Sequence, residues 1–89
     1  MNKKIYKPVM YKFESNIEQS LYRFDNGYGA SVVRIFIQGF KIPRKYELCV
    51  IKWNDYGYNL CYDTPIAGDV IFGLSKEQVE DILGKIEKL

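Results

Sequence analysis

The chain has 89 residues, a formal net charge of +2 and a hydrophobic share of 47%. This length fits one domain, residues 1–89, and does not allow two parts that each bury a core. The composition argues against disorder, and thirteen basic against eleven acidic residues argue against a strongly acidic mimic of DNA.

The sequence also argues against a membrane or secreted protein. No stretch reaches the ~18 consecutive apolar residues that span a bilayer, and residues 1–4 are not followed by the apolar segment of a secretory signal. We therefore expect a cytoplasmic protein without a membrane partner. In that reducing compartment Cys49 and Cys61 are predicted to be buried thiols rather than a disulfide.

The first half of the chain predicts an edge strand and a hairpin. Residues 9–13 are a candidate additional edge strand, although residues 1–18 are the least regular part of the sequence. Residues 19–24 and 28–38 form β-rich segments around Asp25, Asn26 and Gly27, a turn sequence that tolerates positive φ. Ala30 and Val32 alternate with Ser31 and Val33, as a pleated strand requires.

Residues 39–45 connect this hairpin to the next one, formed by residues 46–53 and 58–63. Pro43 and its basic neighbours fit an exposed loop or a protected sheet edge. With residues 55–57 as the second hairpin loop, Asn54 faces Tyr58 and Ile51 faces Cys61.

This register predicts that Cys49 and Cys61 lie diagonally on one face of the hairpin. The same face carries Ile51 and Trp53, which makes it the better candidate for the core. The opposite face, with Leu48 and Val50 among its residues, is also apolar enough to be covered.

A helix over residues 76–89 is the best-defined element. Its predicted buried face repeats at three- and four-residue spacing, with Val79, Ile82, Leu83, Ile86 and Leu89. Ser75 and Gln78 have the spacing of a capping box. Before the helix, Thr64 and Pro65 begin a predicted loop or short helical turn that runs through Val70 and Ile71.

Together these elements predict an α+β fold. An antiparallel sheet of about four to five strands, arranged as a meander of hairpins, packs against one C-terminal amphipathic helix. A domain this small buries only roughly 60% of its unfolded surface, so its many tyrosines must lie in the core or meet a partner. A homodimer is one way of covering them.

The residue types argue against an enzyme, a cofactor site or a metal site. The chain has no histidine, which removes the commonest general base and transition-metal ligand. Two cysteines without Cys-x-x-Cys spacing cannot complete a structural zinc site. Asp63 and Asp69 flank a loop and leave a metal-dependent hydrolase as a third alternative, but capping of local turns explains them better.

Tyrosine, tryptophan and arginine are the residues that dominate protein-binding hot spots. The candidate binding residues in this sequence are Arg34, Arg44, Lys45, Tyr56 and Tyr58. The alternative is a single-stranded nucleic-acid binder that stacks bases on an aromatic and basic sheet face. Its residues would be Tyr22, Tyr28, Tyr46, Tyr56, Tyr58, Tyr62 and Trp53, with Arg23, Arg34, Arg44 and Lys45. The small basic excess makes nucleic acid the weaker choice.

Two segments, RFDNGYGASV at residues 23–32 and LCYDTPI at 60–66, followed by Asp69 and Val70 and the C-terminal helix, resemble small uncharacterised proteins of bacteriophages and prophages. The resemblance covers about two thirds of the chain and brings no catalytic or binding residues. It implies expression in the bacterial host cytoplasm. It also implies a non-enzymatic accessory role, in which the protein binds a host or phage protein and, as one form of that role, inhibits host defence.

Overall fold

A computed structural model describes residues 5–37, 39 and 44–89. Most of the predicted connection at residues 39–45, and the basic residues Lys3, Lys4 and Lys41, lie outside these described residues. The elements are β1 (Met10–Glu14), β2 (Ile17–Arg23), β3 (Tyr28–Ile35), β4 (Tyr46–Asn54), β5 (Gly57–Leu60), β6 (Ile71–Leu74) and α1 (Lys76–Glu87). The predicted α+β fold is confirmed.

The sheet is an antiparallel meander in the order β1-β2-β3-β4-β5, and β6 pairs with β4. The predicted edge strand near residues 9–13 is β1, which pairs with β2 from Met10 opposite Leu21 to Glu14 opposite Ile17. Strands that follow one another in the chain are therefore neighbours from β1 to β5, which is the usual arrangement for antiparallel sheets. No helix in the described part of the chain is long and apolar enough to cross a membrane.

The structure confirms the predicted C-terminal helix and its capping box. Ser75 accepts a hydrogen bond from the Gln78 amide, and the Gln78 side chain accepts one from the Ser75 amide, which completes the capping box. Val79, Leu83 and Ile86 are buried. The helix ends at Glu87, two residues before the predicted end at Leu89.

The helix covers the sheet face that carries Ala30, Val32, Leu48 and Val50. The prediction that the face with Cys49, Ile51 and Trp53 forms the main core is therefore wrong. Both sheet faces carry enough apolar residues to form a core. The face against which the helix packs becomes the main core. Ile51 and Cys49 are nevertheless buried, as is Leu21, which lies on the same side of the sheet.

The second hairpin is one residue tighter than predicted. Asn54 pairs with Gly57, not Tyr58, so its loop is only Asp55 and Tyr56. The Asn54 side chain accepts the Tyr56 amide at 2.8 Å, and this bond stabilises the shorter turn.

The tighter turn changes the positions of the two cysteines. The Cys61 amide donates to the Val50 carbonyl at 2.8 Å, so Cys61 lies on the helix-covered face, where it packs against the core. A shift of one residue moves every side chain to the other face. The prediction that Cys49 and Cys61 share a face is therefore wrong, although both are free thiols.

The first hairpin has the predicted loop of residues 25–27, and Gly27 adopts a φ of 88° there. Asn26 accepts the Tyr28 amide through its side-chain oxygen. Its side-chain nitrogen donates to the carbonyls of Ile86 at 2.9 Å, Glu87 at 3.1 Å and Leu89 at 3.2 Å. This loop therefore caps the C-terminal end of α1.

Strand β6 is absent from the sequence prediction, which places residues 70 and 71 in a loop. Ile71 begins a four-residue strand that pairs with β4 across an irregular register. Gly73, at a φ of 71°, interrupts the regular strand conformation inside it. The short length and this glycine remove the alternating pattern by which strands are recognised.

Candidate functional site

The most exposed regular element is β1, the edge strand of the meander. All five of its residues are exposed, and β1 pairs with β2 alone in the part of the chain that the structure describes. Edge strands with free backbone groups are sites where other chains can pair, and most proteins protect them with charged residues or bulges. In β1, only Lys12 and Glu14 are charged.

Apolar side chains lie on both sides of this edge. Tyr11 and Phe13 pair with Ser20 and Glu18, on the side of the sheet that the helix covers. Met10, opposite Leu21, lies on the other side. Together with Ile17 at the start of β2, these exposed residues form what we call the β1 edge strip: Met10, Tyr11, Phe13 and Ile17.

An arginine cluster lies beside the β1 edge strip. Arg34 pairs across the sheet with Glu18, with 3.1 Å between Nη2 of Arg34 and Oε1 of Glu18, and the two side chains are only 23% and 16% exposed. The Arg34 guanidinium lies 4.9 Å from the ring centre of Phe36 and 4.5 Å from that of Tyr46. These contacts hold the arginine side chain in one orientation.

The β1 edge strip is joined to this cluster through two side chains. The Tyr11 hydroxyl donates to Oε2 of Glu18 at 2.7 Å, and this hydrogen bond to a carboxylate raises the pKa of Tyr11. Phe13 lies edge-on to Phe36, with 5.3 Å between ring centres. Side-chain contacts therefore position Tyr11 and Phe13, in addition to the backbone pairing of β1 with β2.

The five candidate binding residues do not form one site. Arg34, Arg44 and Lys45 lie near the start of β4, where the Arg44 amide donates to the Ile35 carbonyl at 3.1 Å and both Arg44 and Lys45 are exposed. Tyr56 and Tyr58 lie at the other end of β4, about 26 Å away for a strand of this length. Any partner that contacts both groups must span the sheet.

The Tyr56 end of the sheet has its own aromatic cluster. Tyr56 is fully exposed at the tip of the hairpin. Tyr58 lies edge-on to Trp53 at 5.3 Å, and the Arg23 guanidinium lies 5.4 Å from the Trp53 ring centre. The Trp53 indole nitrogen donates to the Tyr22 carbonyl at 2.8 Å, a close approach that is open because Gly29 has no side chain there.

The aromatic residues predicted as a stacking platform are divided between the two sheet faces. Tyr22, Tyr28 and Tyr46 pack against the helix-covered core. Trp53 and Tyr58 pair across β4 and β5 on the opposite face, in line with Ile51. The structure therefore does not bring them together as one surface on which a strand of nucleic acid can stack.

The predicted acidic pair has local partners. Asp63 accepts the Cys61 thiol at 2.9 Å, a bond that lowers the pKa of Asp63 and raises that of Cys61. Asp69 accepts the Val70 amide at 2.7 Å. Thr64, not Asp63, closes the turn after β5 by accepting the Ile66 amide. Among the described residues, no group of three or more potential ligands could hold a metal ion.

Sequence reasoning missed the β1 edge strip as a site. It predicted the edge strand, but the candidate residues were chosen by residue type, and Met10, Phe13 and Ile17 are of types normally assigned to a core. The sequence signal that could have indicated this site is the apolar character of a strand already predicted to lie at the sheet edge. No protein-family model, no curated protein and no solved structure matches this chain.

Proposed function

We propose that this chain is a non-enzymatic accessory protein of a bacteriophage or prophage that acts in the bacterial cytoplasm by binding another protein. The phage origin is supported by the sequence resemblance alone. The observation that carries the binding function is the β1 edge strip, where an exposed strand edge is flanked by apolar side chains. A host defence protein, inhibited by this contact, is the partner class that the resemblance favours.

The binding mode that we propose is strand addition. A partner strand beside β1 would pair with its backbone, while its side chains met Tyr11 and Phe13 on one side and Met10 on the other. Apolar residues on a single side would fit a flat docking surface equally well. Their presence on both sides of one edge favours an added strand.

The charges near the β1 edge strip favour a protein over a nucleic acid as the binding partner. Lys12 lies 3.2 Å from Glu14, so the two charges of β1 offset each other. The Arg34 charge is likewise offset by Glu18. Neither group leaves a concentration of positive charge that could neutralise several phosphates, the main source of affinity for nucleic acid.

The test is a comparison of tagged variants captured from nuclease-treated bacterial lysate, followed by affinity measurement with the purified partner. Phe13→Lys places a charge in the centre of the β1 edge strip and should weaken binding by about tenfold or more, the size expected of an interface anchor. Phe13 is 53% exposed, so the substitution should leave the fold intact, which circular dichroism would verify.

Phe72→Lys is the matched control, because Phe72 is 65% exposed and lies on β6, away from β1. It should bind as the wild type does. Equal losses of affinity in both variants would show that the β1 edge strip is not the binding surface. A partner that is lost on nuclease treatment would favour the nucleic-acid alternative. Tyr56→Ala and Arg44→Ala, added to the same series, test the binding residues predicted from the sequence.

A further inference from the structure

The loop of the first hairpin contains a chemically labile pair of residues. Asn26 is the one asparagine in this sequence that is followed by a glycine, Gly27. A glycine has no side chain to shield its amide nitrogen from the side-chain carbonyl of the residue before it. Both residues are partly exposed, so water reaches them. The pair is therefore a candidate site for deamidation, a covalent change that needs no enzyme.

The reaction needs water as its only co-reactant. The backbone nitrogen of Gly27 attacks Cγ of Asn26, so that an N–Cγ bond forms and the Cγ–Nδ2 bond breaks. The amide proton of Gly27 leaves with Nδ2 as ammonia. Water then opens the cyclic imide at either of its two carbonyl groups, which gives aspartate or isoaspartate at position 26.

The folded structure holds the reacting groups in other interactions. The Gly27 amide, which is the nucleophile, donates to the Phe24 carbonyl at 3.0 Å. The side-chain oxygen of Asn26 accepts the Tyr28 amide at 2.9 Å, which fixes the side chain in the turn. Attack on Cγ requires these bonds to be released, so the reaction belongs to molecules in which the loop has opened.

The leaving nitrogen is also the group that holds the end of α1. Nδ2 of Asn26 donates to the backbone oxygens of Ile86 at 2.9 Å, Glu87 at 3.1 Å and Leu89 at 3.2 Å. A carboxylate only accepts hydrogen bonds, so the product has no proton to share with these oxygens. Its negative charge would also lie at the negative end of the helix dipole. Deamidation therefore replaces an attraction with a repulsion at this contact.

We propose that Asn26 and Gly27 form a spontaneous deamidation site, that the folded loop keeps the reaction slow, and that the product releases the end of α1. The change is one-way, because the ammonia is lost. It loosens one end of the helix that covers the main core. This site is separate from the β1 edge strip, and its test does not depend on a binding partner.

The reaction is measured by incubating the wild-type protein at mildly alkaline pH, in buffer and in denaturant, and by locating the mass change of deamidation in its peptides. Asn26 should react at least about tenfold more slowly in the folded protein, because only the open fraction of molecules can react. Asn54, which is followed by Asp55, is the internal reference and should react more slowly than Asn26 in denaturant. Equal rates at Asn26 in buffer and in denaturant would overturn the protection by the fold.

The effect of the product is measured with Asn26→Asp and the matched control Asn54→Asp. Both substitutions add the same charge and keep the side-chain acceptor of a turn bond, to Tyr28 or to Tyr56. The Asn26 variant alone loses a donor to α1. Hydrogen exchange in the last turn of α1, residues 84–87, should be several-fold faster in Asn26→Asp and unchanged in Asn54→Asp.

The deamidated wild-type protein, separated by ion exchange, provides the same readout if Asn26→Asp fails to fold. Wild-type exchange rates in the last turn of α1, in either form, would overturn the release of the helix. Equally faster exchange in Asn54→Asp would show that added charge alone, and not the loss of the Asn26 donor, loosens the helix.

Discussion

Tyr22 shows how the burial of one side chain sets a pH response. It is half-buried against the core, and desolvation raises its pKa above the ordinary value of 10.0. The folded protein therefore holds the phenol proton more tightly than the unfolded chain does. The stability that results is complete below the unfolded pKa of about 10 and is lost as pH rises through the folded pKa.

Tyr22→Phe removes this titration, so the variant should lose less stability than the wild type as pH rises above about 10. Urea unfolding followed by circular dichroism at a series of alkaline pH values measures the difference. Tyr56→Phe, at the exposed hairpin tip, is the control and should follow the wild-type curve. Parallel wild-type and Tyr22→Phe curves would contradict the expectation.

Arg34 illustrates how far residue types alone identify a site. Arginine is one of the residue types that dominate binding hot spots, and this marked it as a candidate. Its partner Glu18, and Tyr11, which donates to Glu18, were not predicted, because the three residues come together only through the pairing of three strands. Residue type indicates which interactions a side chain can make, whereas the neighbours from other strands decide which of these interactions form.

At the level of elements, the loop of residues 25–27 holds the end of α1. Helix C-termini leave carbonyl groups without partners inside the helix. The Asn26 side-chain nitrogen donates to the backbone oxygens of Ile86, Glu87 and Leu89 at this end of the helix, while its side-chain oxygen fixes the turn. The turn sequence predicted the hairpin correctly, but the contact with the helix joins residues about sixty positions apart and has no local signal.

Asn26→Ala should lower the free energy of unfolding by about 1–3 kcal/mol, because it removes the side-chain donor that joins the hairpin loop to the end of α1 and the acceptor that fixes the turn. Urea denaturation at neutral pH measures this loss. Asn54→Ala is the matched control: Asn54 makes a comparable turn bond to the Tyr56 amide, but at an exposed tip, and its loss should cost about 1 kcal/mol or less. Equal losses would show that the helix contact adds nothing.

For the molecule as a whole, the sheet separates the two thiols. Cys49 lies in line with Ser31 on one face, and Cys61 lies beside Val50 on the other. A disulfide needs Cα atoms within about 7 Å and Cβ atoms that point toward each other. Side chains on opposite faces of a sheet point apart, so the folded protein should not form this bond.

Mild oxidation of the folded protein, followed by mass spectrometry of non-reduced peptides, should therefore find no Cys49–Cys61 disulfide. The same oxidation in denaturant should produce it, which is the internal control. Formation of the bond in the folded protein would mean that the β4–β5 register is the looser one predicted from the sequence.

The sequence by itself determined the elements whose signals are local. The capping box at Ser75, the apolar spacing of α1 and the turn at residues 25–27 each act over a few neighbouring residues, and the structure confirms them. They were sufficient to predict an antiparallel meander with one C-terminal helix.

Only the tertiary structure decided the rest. Both faces of β4 are apolar, so the docking of α1 chose between them, and one residue in the β4–β5 turn placed Cys61. Within the described residues, β1 pairs on one side only, because the strand order places it at the edge of the sheet. Each of these features depends on contacts between distant residues, and no pattern within a single segment contains them.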